Sequence, residues 1–257
     1  PEAIVVPLKK SADGALEPDF ARAKDFFATL AAEGEITVGG IPIGSEPGAT
    51  EDAPPTPTYT SARLGKLEAQ VRVPMAALAD DAARALPANR ASLKLTTDAR
   101  TGEGAPVAAV AIDAQAGLDA SSPEALVTLA GINTANVDAL LNRQGFVTGA
   151  MGNTADIALR VTPEAGSATN LNLTAEITSP TISGATLSLA RRADVIALTG
   201  PSNITWTPAP AFLNSILVTD DNSVRVTRTS AVTVNLTKLA LATGPEGSGL
   251  FLPTVFD

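Results

Sequence analysis

Neither cysteine nor histidine occurs in the 257-residue sequence. Without thiolates or imidazoles the chain has no disulfides, no Cys/His zinc site, no cysteine nucleophile and no Ser-His-Asp triad. The absence of cysteine does not distinguish an oxidising from a reducing compartment. The reactive groups that remain are carboxylates, lysines, hydroxyls and Tyr59, and the sequence does not pair two carboxylates for acid-base chemistry. An enzyme therefore ranks below a binding protein, and we expect no catalytic residue, no bound cofactor and no metal site.

Aromatic residues are scarce, at 4% of the chain, and much of the 45% hydrophobic fraction is alanine. A core built from such residues is thin, because the aromatic side chains that bury the largest areas are few. This composition favours a sheet covered by helices over a deep ligand cavity.

Basic residues are fewer than acidic ones: the chain has 18 basic and 27 acidic residues and a net charge of −9. Nucleic-acid binding depends on clustered cations, so a nucleic-acid partner is not expected, and binding to an anionic membrane surface is disfavoured for the same reason. No apolar run approaches the ~20 residues that a membrane-spanning helix needs. The sequence begins at Pro1 without a signal peptide, and we expect a mature or excised piece of a longer chain.

Hydrophobic spacing predicts a few short helices. Phe20, Ala23, Phe27 and Leu30 follow a helical period, and SPEA at 122–125 is typical of a helix start. The predicted helices are 19–30, 75–86, 136–144 and 209–217.

Period-two alternation predicts antiparallel strands over 91–120 and 155–243, and short strands at 35–39, 64–74 and in FVTGAMGN. The acidic stretch at 41–61, rich in Pro and Gly, is typical of an exposed loop. The expected fold is therefore α+β and dominated by β structure, with a long twisted antiparallel meander covered by short amphipathic helices.

Two regions are expected along the chain. Residues 1–120 form a strand-helix-strand region with the acidic loop, and residues 121–257 form a β-meander with capping helices; alternatively the two make one continuous domain. A short helix directly before a strand recurs in both, either as a true repeat or by chance.

The candidate site residues are Trp206, Phe212, Leu213 and Ile216. Trp206 precedes two prolines, and at an exposed rim it could stack on a sugar or contact a partner. Alternatively, Trp206 and Phe212 hold helix 209–217 on the sheet, and the apolar face of that helix favours this interpretation. In that case Phe212 and Leu213 should be buried against strands containing Ile196, Leu198 and Val226.

Two acidic pairs have a weaker claim to function. Asp220-Asp221-Asn222 lacks the spaced ligands of a calcium loop and is typical of a turn. Asp80-Asp81 lies on a predicted helix, where adjacent side chains diverge and face solvent.

The run ATLSLARRADVIALTGPSNITWTPAPAFLNSIL, with SVRVTRTSAVTVNLTKLALAT after it, resembles AsmA-like bacterial cell-envelope proteins, including the large planctomycete-type forms. The resemblance covers roughly residues 120–257 and brings no catalytic motif. It implies a repeated β-groove architecture whose apolar inner face accommodates lipid chains. It also implies a non-enzymatic role in lipid transport or envelope maintenance, a periplasmic location, and lipid or envelope proteins as partners.

The inner faces that alternation predicts are modest in bulk, comprising Leu171, Leu173, Ala175 and Ile177 with Leu187 and Leu189. An ordinary sheet covered by its own helices therefore stays open as an alternative to a lipid groove. The alternative function is a secreted or surface β domain that binds glycans or proteins.

The missing cysteine and histidine generate the first prediction. Because the usual zinc ligands are absent, a chelator should leave the thermal unfolding midpoint unchanged. Differential scanning fluorimetry with and without EDTA measures this. A fall in the midpoint that added zinc reverses would contradict the prediction.

Overall fold

A computed structural model describes residues 6–32, 35–46, 56–84, 86, 88–119, 122–143, 145–165, 167, 170–193, 195–218 and 225–242, with the side chains of 32, 42–46, 56–57 and 241–242 left aside. The strands are β1 (Leu8–Lys10), β2 (Leu16–Pro18), β3 (Phe26–Ala32), β4 (Ile36–Glu46), β5 (Thr56–Leu64), β6 (Leu67–Val73), β7 (Arg90–Thr101), β8 (Pro106–Gly117), β9 (Glu124–Asn133), β10 (Thr154–Pro163), β11 (Leu171–Ser179), β12 (Ile182–Arg192), β13 (Val195–Leu198), β14 (Ser202–Trp206), β15 (Val232–Leu236) and β16 (Ala240–Ala242). The α-helices are α1 (Asp81–Arg84), α2 (Thr134–Leu141), α3 (Phe146–Met151) and α4 (Pro210–Leu217), and Phe20–Arg22 and Met75–Ala79 form 3-10 turns.

Within the described residues the strands form one fourteen-stranded sheet and a separate β1-β2 hairpin. From β7 to β12 each strand pairs antiparallel with the next strand in the chain. The fold is therefore dominated by β structure, and its long antiparallel sheet confirms the fold class predicted from the sequence.

Both edges of the sheet consist of bent hairpins. At the first edge, β3 and β4 follow each other along one arm of a hairpin, and β5 and β6 follow each other along the other arm. β4 pairs antiparallel with β5, and β3 pairs antiparallel with β6. Gly65 lies at the bend, where its N–H donates to the Asp98 carbonyl at 2.7 Å. At the other edge β13 and β14 both pair with β12, and β16 and β15 then pair with β13 and β14. The whole sheet is thus a sequential meander with two bends.

The helices begin and end for local reasons. The side chain of Asn133 accepts a hydrogen bond from the Asn136 N–H at 3.1 Å and caps α2, which ends where Asn142 takes a left-handed conformation. Pro210 occupies the first turn of α4, where its missing N–H costs no helical hydrogen bond. The predicted helices 136–144 and 209–217 are confirmed in type, with bounds of Thr134–Leu141 and Pro210–Leu217.

The predicted helix at 19–30 is wrong. Only Phe20–Arg22 forms a 3-10 turn, and Phe26–Ala32 is strand β3. Phe26, Ala28 and Leu30 also fit a period of two, and pairing with β6 places all three on one face of the sheet. Strand pairing therefore outweighs the helical spacing, as tertiary context often does.

Other boundaries also differ from the prediction. The predicted loop at 41–61 is strand at both ends, in β4 and β5, and 47–55 lies outside the described residues. The predicted helix start at 122–125 begins strand β9, whereas FVTGAM, predicted as a strand, forms α3. Helix 75–86 is split into a 3-10 turn and α1. Residues 225–230, within a predicted strand, have no regular structure.

Gly184 generates a stability prediction, since it lies in β12 with φ of +67° and an added Cβ would come within 2.8 Å of the Asn203 carbonyl oxygen. Gly184→Ala should lower the free energy of unfolding by about 1–3 kcal/mol, because strain and a backbone clash add together. Chemical denaturation measures this. Gly104→Ala is the matched control, with φ of +92° and no atom near the added Cβ. Equal losses in the two variants would contradict the role of the Asn203 contact.

Candidate functional site

The register of the sheet gathers apolar side chains on one face, which we call the apolar face. Opposed residues of antiparallel strands lie on the same side of a sheet. Val127 is opposite Ile112 and Leu159, and Leu159 is opposite Ala175. The same alternation extends from β3 to β13. In the centre of the sheet the face comprises Leu93, Leu95, Val110, Ile112, Val127, Leu129, Ile157, Leu159, Leu173, Ala175, Ile177, Leu187 and Leu189.

Among the described residues, none forms a second layer over the centre of the apolar face. In the described parts of β7 to β12 the leucines, isoleucines and valines are half-buried or exposed, and Leu159 is 37% exposed. The buried apolar residues of the described chain are alanines, Pro74, Pro208, Phe212 and Leu213. Since a face packed against another layer would bury its large aliphatic side chains, the part of the chain that the structure describes leaves this face open.

The opposite face of the sheet is polar. Lys94 pairs with the opposed Asp113 at 3.4 Å, and Arg72 pairs with Asp25 at 2.8 Å. Arg90 pairs with Glu124 at 2.6 Å, and the bonds from Arg90 and then Gln115 hold the pKa of Glu124 below its ordinary value. In the central strands the charged side chains therefore lie on the polar face, and Arg191, opposite Leu171 at the end of β12, is the exception among the described strands.

The helices cover one end of the apolar face. The buried residues Thr97, Thr101, Ala108, Ala155 and Ala185 belong to that face and lie toward the strand ends from which α2 and α3 emerge. α2 contacts β5, β7, β8 and β9, and α3 contacts β10. The helices thus close one end of the face and leave its centre open.

Two buried polar residues hold α2 to α3. The carboxylate of Asp138 accepts hydrogen bonds from the N–H groups of Val147 at 2.7 Å and Thr148 at 2.9 Å, so it caps the first turn of α3. The hydroxyl of Thr134, which is fully buried, donates to the Gly152 carbonyl at 2.5 Å. These bonds satisfy backbone groups that the two short helices cannot satisfy themselves.

An aromatic cluster joins α3 and α4 to the sheet. The Phe212 ring lies edge-on to Trp206 at 5.8 Å and to Phe146 at 5.3 Å between centroids. Trp206 Nε1 donates to the Ala150 carbonyl at 2.7 Å. A Cβ added to Gly149 would come within 2.3 Å of the Phe212 ring, so this glycine lets the ring approach the α3 backbone.

The structure separates the predicted site residues. Phe212 and Leu213 are buried, at 7% and 6% exposed, and Trp206 is half-buried, whereas Ile216 is 45% exposed. The arrangement of Trp206 and Phe212 is that of a joint between helix and sheet.

The expected neighbours of α4 are only partly those in the structure. The side chain of Asn214 bonds both backbone groups of Val226, at 2.7 and 2.9 Å. Ile196 and Leu198 lie on β13 beside the far end of β12. By strand geometry they are about 30 Å and about 23 Å from the position opposite Trp206. Phe146 and Gly149 take their place against Phe212.

The sequence did not predict several residues that hold the helices to the sheet. Phe146 and Gly149 were hidden because their segment alternates like a strand, and nothing local marks Asp138 as a cap for a later helix. The apolar face itself was traceable in β11 and β12, where Leu173 opposes Leu189 and Ala175 opposes Leu187 as alternation predicts.

Other site types find little support in the described residues. Within them, no group of three or more His, Cys, Asp or Glu side chains is placed to hold a metal ion. None of their helices is long and apolar enough to cross a membrane. Asp80 is exposed, Asp81 begins α1 and pairs with Arg84 at 3.0 Å, and Asp220 to Asn222 lie outside the described residues.

Comparison with protein-family models, with curated proteins and with solved structures finds no match for this chain. The open apolar face, argued from the register, is therefore the feature on which a functional interpretation rests.

The aromatic cluster generates a prediction. Phe212→Ala should lower the free energy of unfolding by about 3–5 kcal/mol, because a buried ring would leave a cavity between Trp206 and Phe146. Denaturant unfolding followed by Trp206 fluorescence measures the loss. Leu217→Ala on the same helix is the control, since Leu217 is 57% exposed and should cost little. An unchanged midpoint for Phe212→Ala would contradict the joint.

Proposed function

We propose that the chain is a non-enzymatic, lipid-binding segment of an AsmA-like envelope protein, located in the periplasm. The apolar face holds lipid acyl chains, and the protein takes part in lipid transport or envelope maintenance. The open apolar face of a single-layer sheet is the observation that carries this proposal.

The dimensions of the face suit an acyl chain. From β3 to β13 the face extends over the strands of a sequential sheet whose neighbours lie about 4.8 Å apart, so it is roughly 38 Å wide. The hydrocarbon core of a bilayer, which holds two layers of acyl chains, is about 30 Å thick. The face is therefore large enough to hold a whole acyl chain.

The energetics of exposure also support a lipid ligand. Contiguous exposed apolar surface beyond a few hundred Å² is rare in soluble proteins and marks an interaction site. Covering it gains about 25 cal/mol per Å² of apolar area removed from water. An acyl chain matches this surface because it needs no hydrogen bonds, and the central side chains of the face offer none.

The alternative, a surface domain that binds glycans or proteins, has less support from the geometry. Trp206, the ring that the sequence predicts as a candidate sugar platform, is half-buried and hydrogen-bonded to Ala150. The exposed rings of Phe27 and Tyr59 lie apart on β3 and β5. We therefore retain glycan or protein binding as an outcome of the test below.

Leu159→Glu tests the proposal. Leu159 lies in the middle of the apolar face and is partly exposed, so the variant should fold. A carboxylate there would have to be desolvated by a bound acyl chain, and affinity should fall at least about tenfold. The measurement is a titration of the purified protein with a phospholipid that carries a fluorescent acyl chain.

Thr174→Glu is the matched control. It adds the same charge on the polar face, opposite Arg160, and should leave the affinity for the fluorescent phospholipid unchanged. The proposal fails if the wild-type protein does not bind the probe, or if both variants bind like wild type. Binding of a glycan or protein ligand that Leu159→Glu does not weaken, without probe binding, would favour the alternative.

A further inference from the structure

The helical end of the sheet exposes large apolar side chains. Phe146 on α3 is 51% exposed, and Ile216 and Leu217 on α4 are 45% and 57% exposed. They belong to one cluster, because the Phe146 ring contacts Phe212, one helical turn before Ile216. We call Phe146, Ile216 and Leu217 the apolar tip. Exposed apolar groups gathered in this way mark an interaction surface.

Three arginines lie in the chain segments next to the apolar tip. The Arg143 carbonyl accepts a hydrogen bond from the Phe146 N–H at 2.8 Å, the two hydrogen bonds between Asn214 and Val226 place Arg225 beside α4, and Arg228 follows in the same segment. Arg143, Arg225 and Arg228 are exposed, and none of them forms an ion pair with another described residue. On the sheet, Arg63, Arg72, Arg90 and Arg192 pair with carboxylates, whereas Arg160 and Arg191 form no ion pair with another described residue.

We infer that the apolar tip binds the surface of a phospholipid bilayer, with the three flanking arginines on lipid phosphate groups. Apolar side chains that enter the interface beside cationic ones are the usual means of surface attachment. The arginine guanidinium matches phosphate geometry and bonds it bidentately. The three arginines are thus complementary in charge to the lipid headgroups.

If the proposed function holds, the position of the apolar tip explains why it would bind a bilayer. α2, α3 and α4 lie at one end of the apolar face, so a bilayer bound there is next to the surface that would receive an acyl chain. The net charge of −9 predicts weak attraction of the whole chain to anionic lipid. The described residues around the apolar tip carry positive charge from three arginines, in contrast to the negative net charge of the whole chain. Asp220 and Asp221 follow α4 outside the described residues.

Vesicle flotation tests the inference. The probe is a vesicle of phosphatidylcholine and phosphatidylglycerol, incubated with the purified full chain. Ile216→Ser with Leu217→Ser, and separately Arg225→Gln with Arg228→Gln, should each weaken binding about tenfold or more. The arginine contribution should also decline as salt is raised.

Matched controls use residues away from the tip. Leu86→Ser removes an exposed leucine next to α1, which lies near the opposite end of the sheet, and Arg160→Gln removes an unpaired arginine of the polar face. Both should float like wild type, and thermal melts should show that every variant is folded.

The inference is overturned if the wild-type protein does not float, or if the tip and arginine variants float as well as the controls. It is also overturned if light scattering shows a wild-type dimer that the leucine variant dissociates, because the tip would then be a self-interface. Its failure is distinguishable from failure of the proposed function. The tip variants should still bind the phospholipid with the fluorescent acyl chain. Leu159→Glu should bind that probe weakly but should still float with the vesicles.

Discussion

The register of the antiparallel meander is the constraint on which the rest of the structure depends. Because side chains alternate with a period of two, a slip of one residue would move every apolar side chain of a strand to the polar face. The direct opposition of Lys94 and Asp113 on one face, and of Val127 and Leu159 on the other, shows how one register serves both faces. The segregation of charge from apolar surface is therefore a consequence of pairing and not of a packed interior.

A sheet with an open face needs other sources of stability. From β7 to β12 strand pairing runs between neighbours in the chain, which keeps the loops to be closed short and the contacts local. The helical end adds the deepest burial in the described chain, where Phe212 and Leu213 pack and Thr134 is fully enclosed. The bends at both edges fold the outer hairpins without breaking this order.

The sequence predicted the parts of the fold that local rules determine. In β11 and β12 alternation alone placed Leu173 and Leu189 on the inner faces of their strands, where the structure has them opposite each other, and the helix predicted at 209–217 is α4. The prediction was wrong where the same apolar spacing fits both the helical period and the strand period. Phe26 and Leu30 fit either a helix or a strand, and only pairing with β6 decides between them. The segment around Gly149 was predicted as a strand but forms a helix. That helix depends on a cap from Asp138, which lies several residues earlier on another helix.

The candidate site was predictable as a set of inner-facing residues but not as an open surface. Whether a second layer covers Leu159 depends on where the helices lie, and their placement is set by contacts such as Asn136 to the Pro106 carbonyl that no local pattern reveals. Once the face is known to be open, ligand binding and stability become linked. An acyl chain on the face would supply the layer that the described part of the chain lacks. A ligand that binds only the folded state stabilises that state in proportion to the logarithm of the ligand concentration above Kd. On the proposed function, lipid therefore completes the core of this sheet, and the alanine-rich interior suffices because the second layer comes from the ligand.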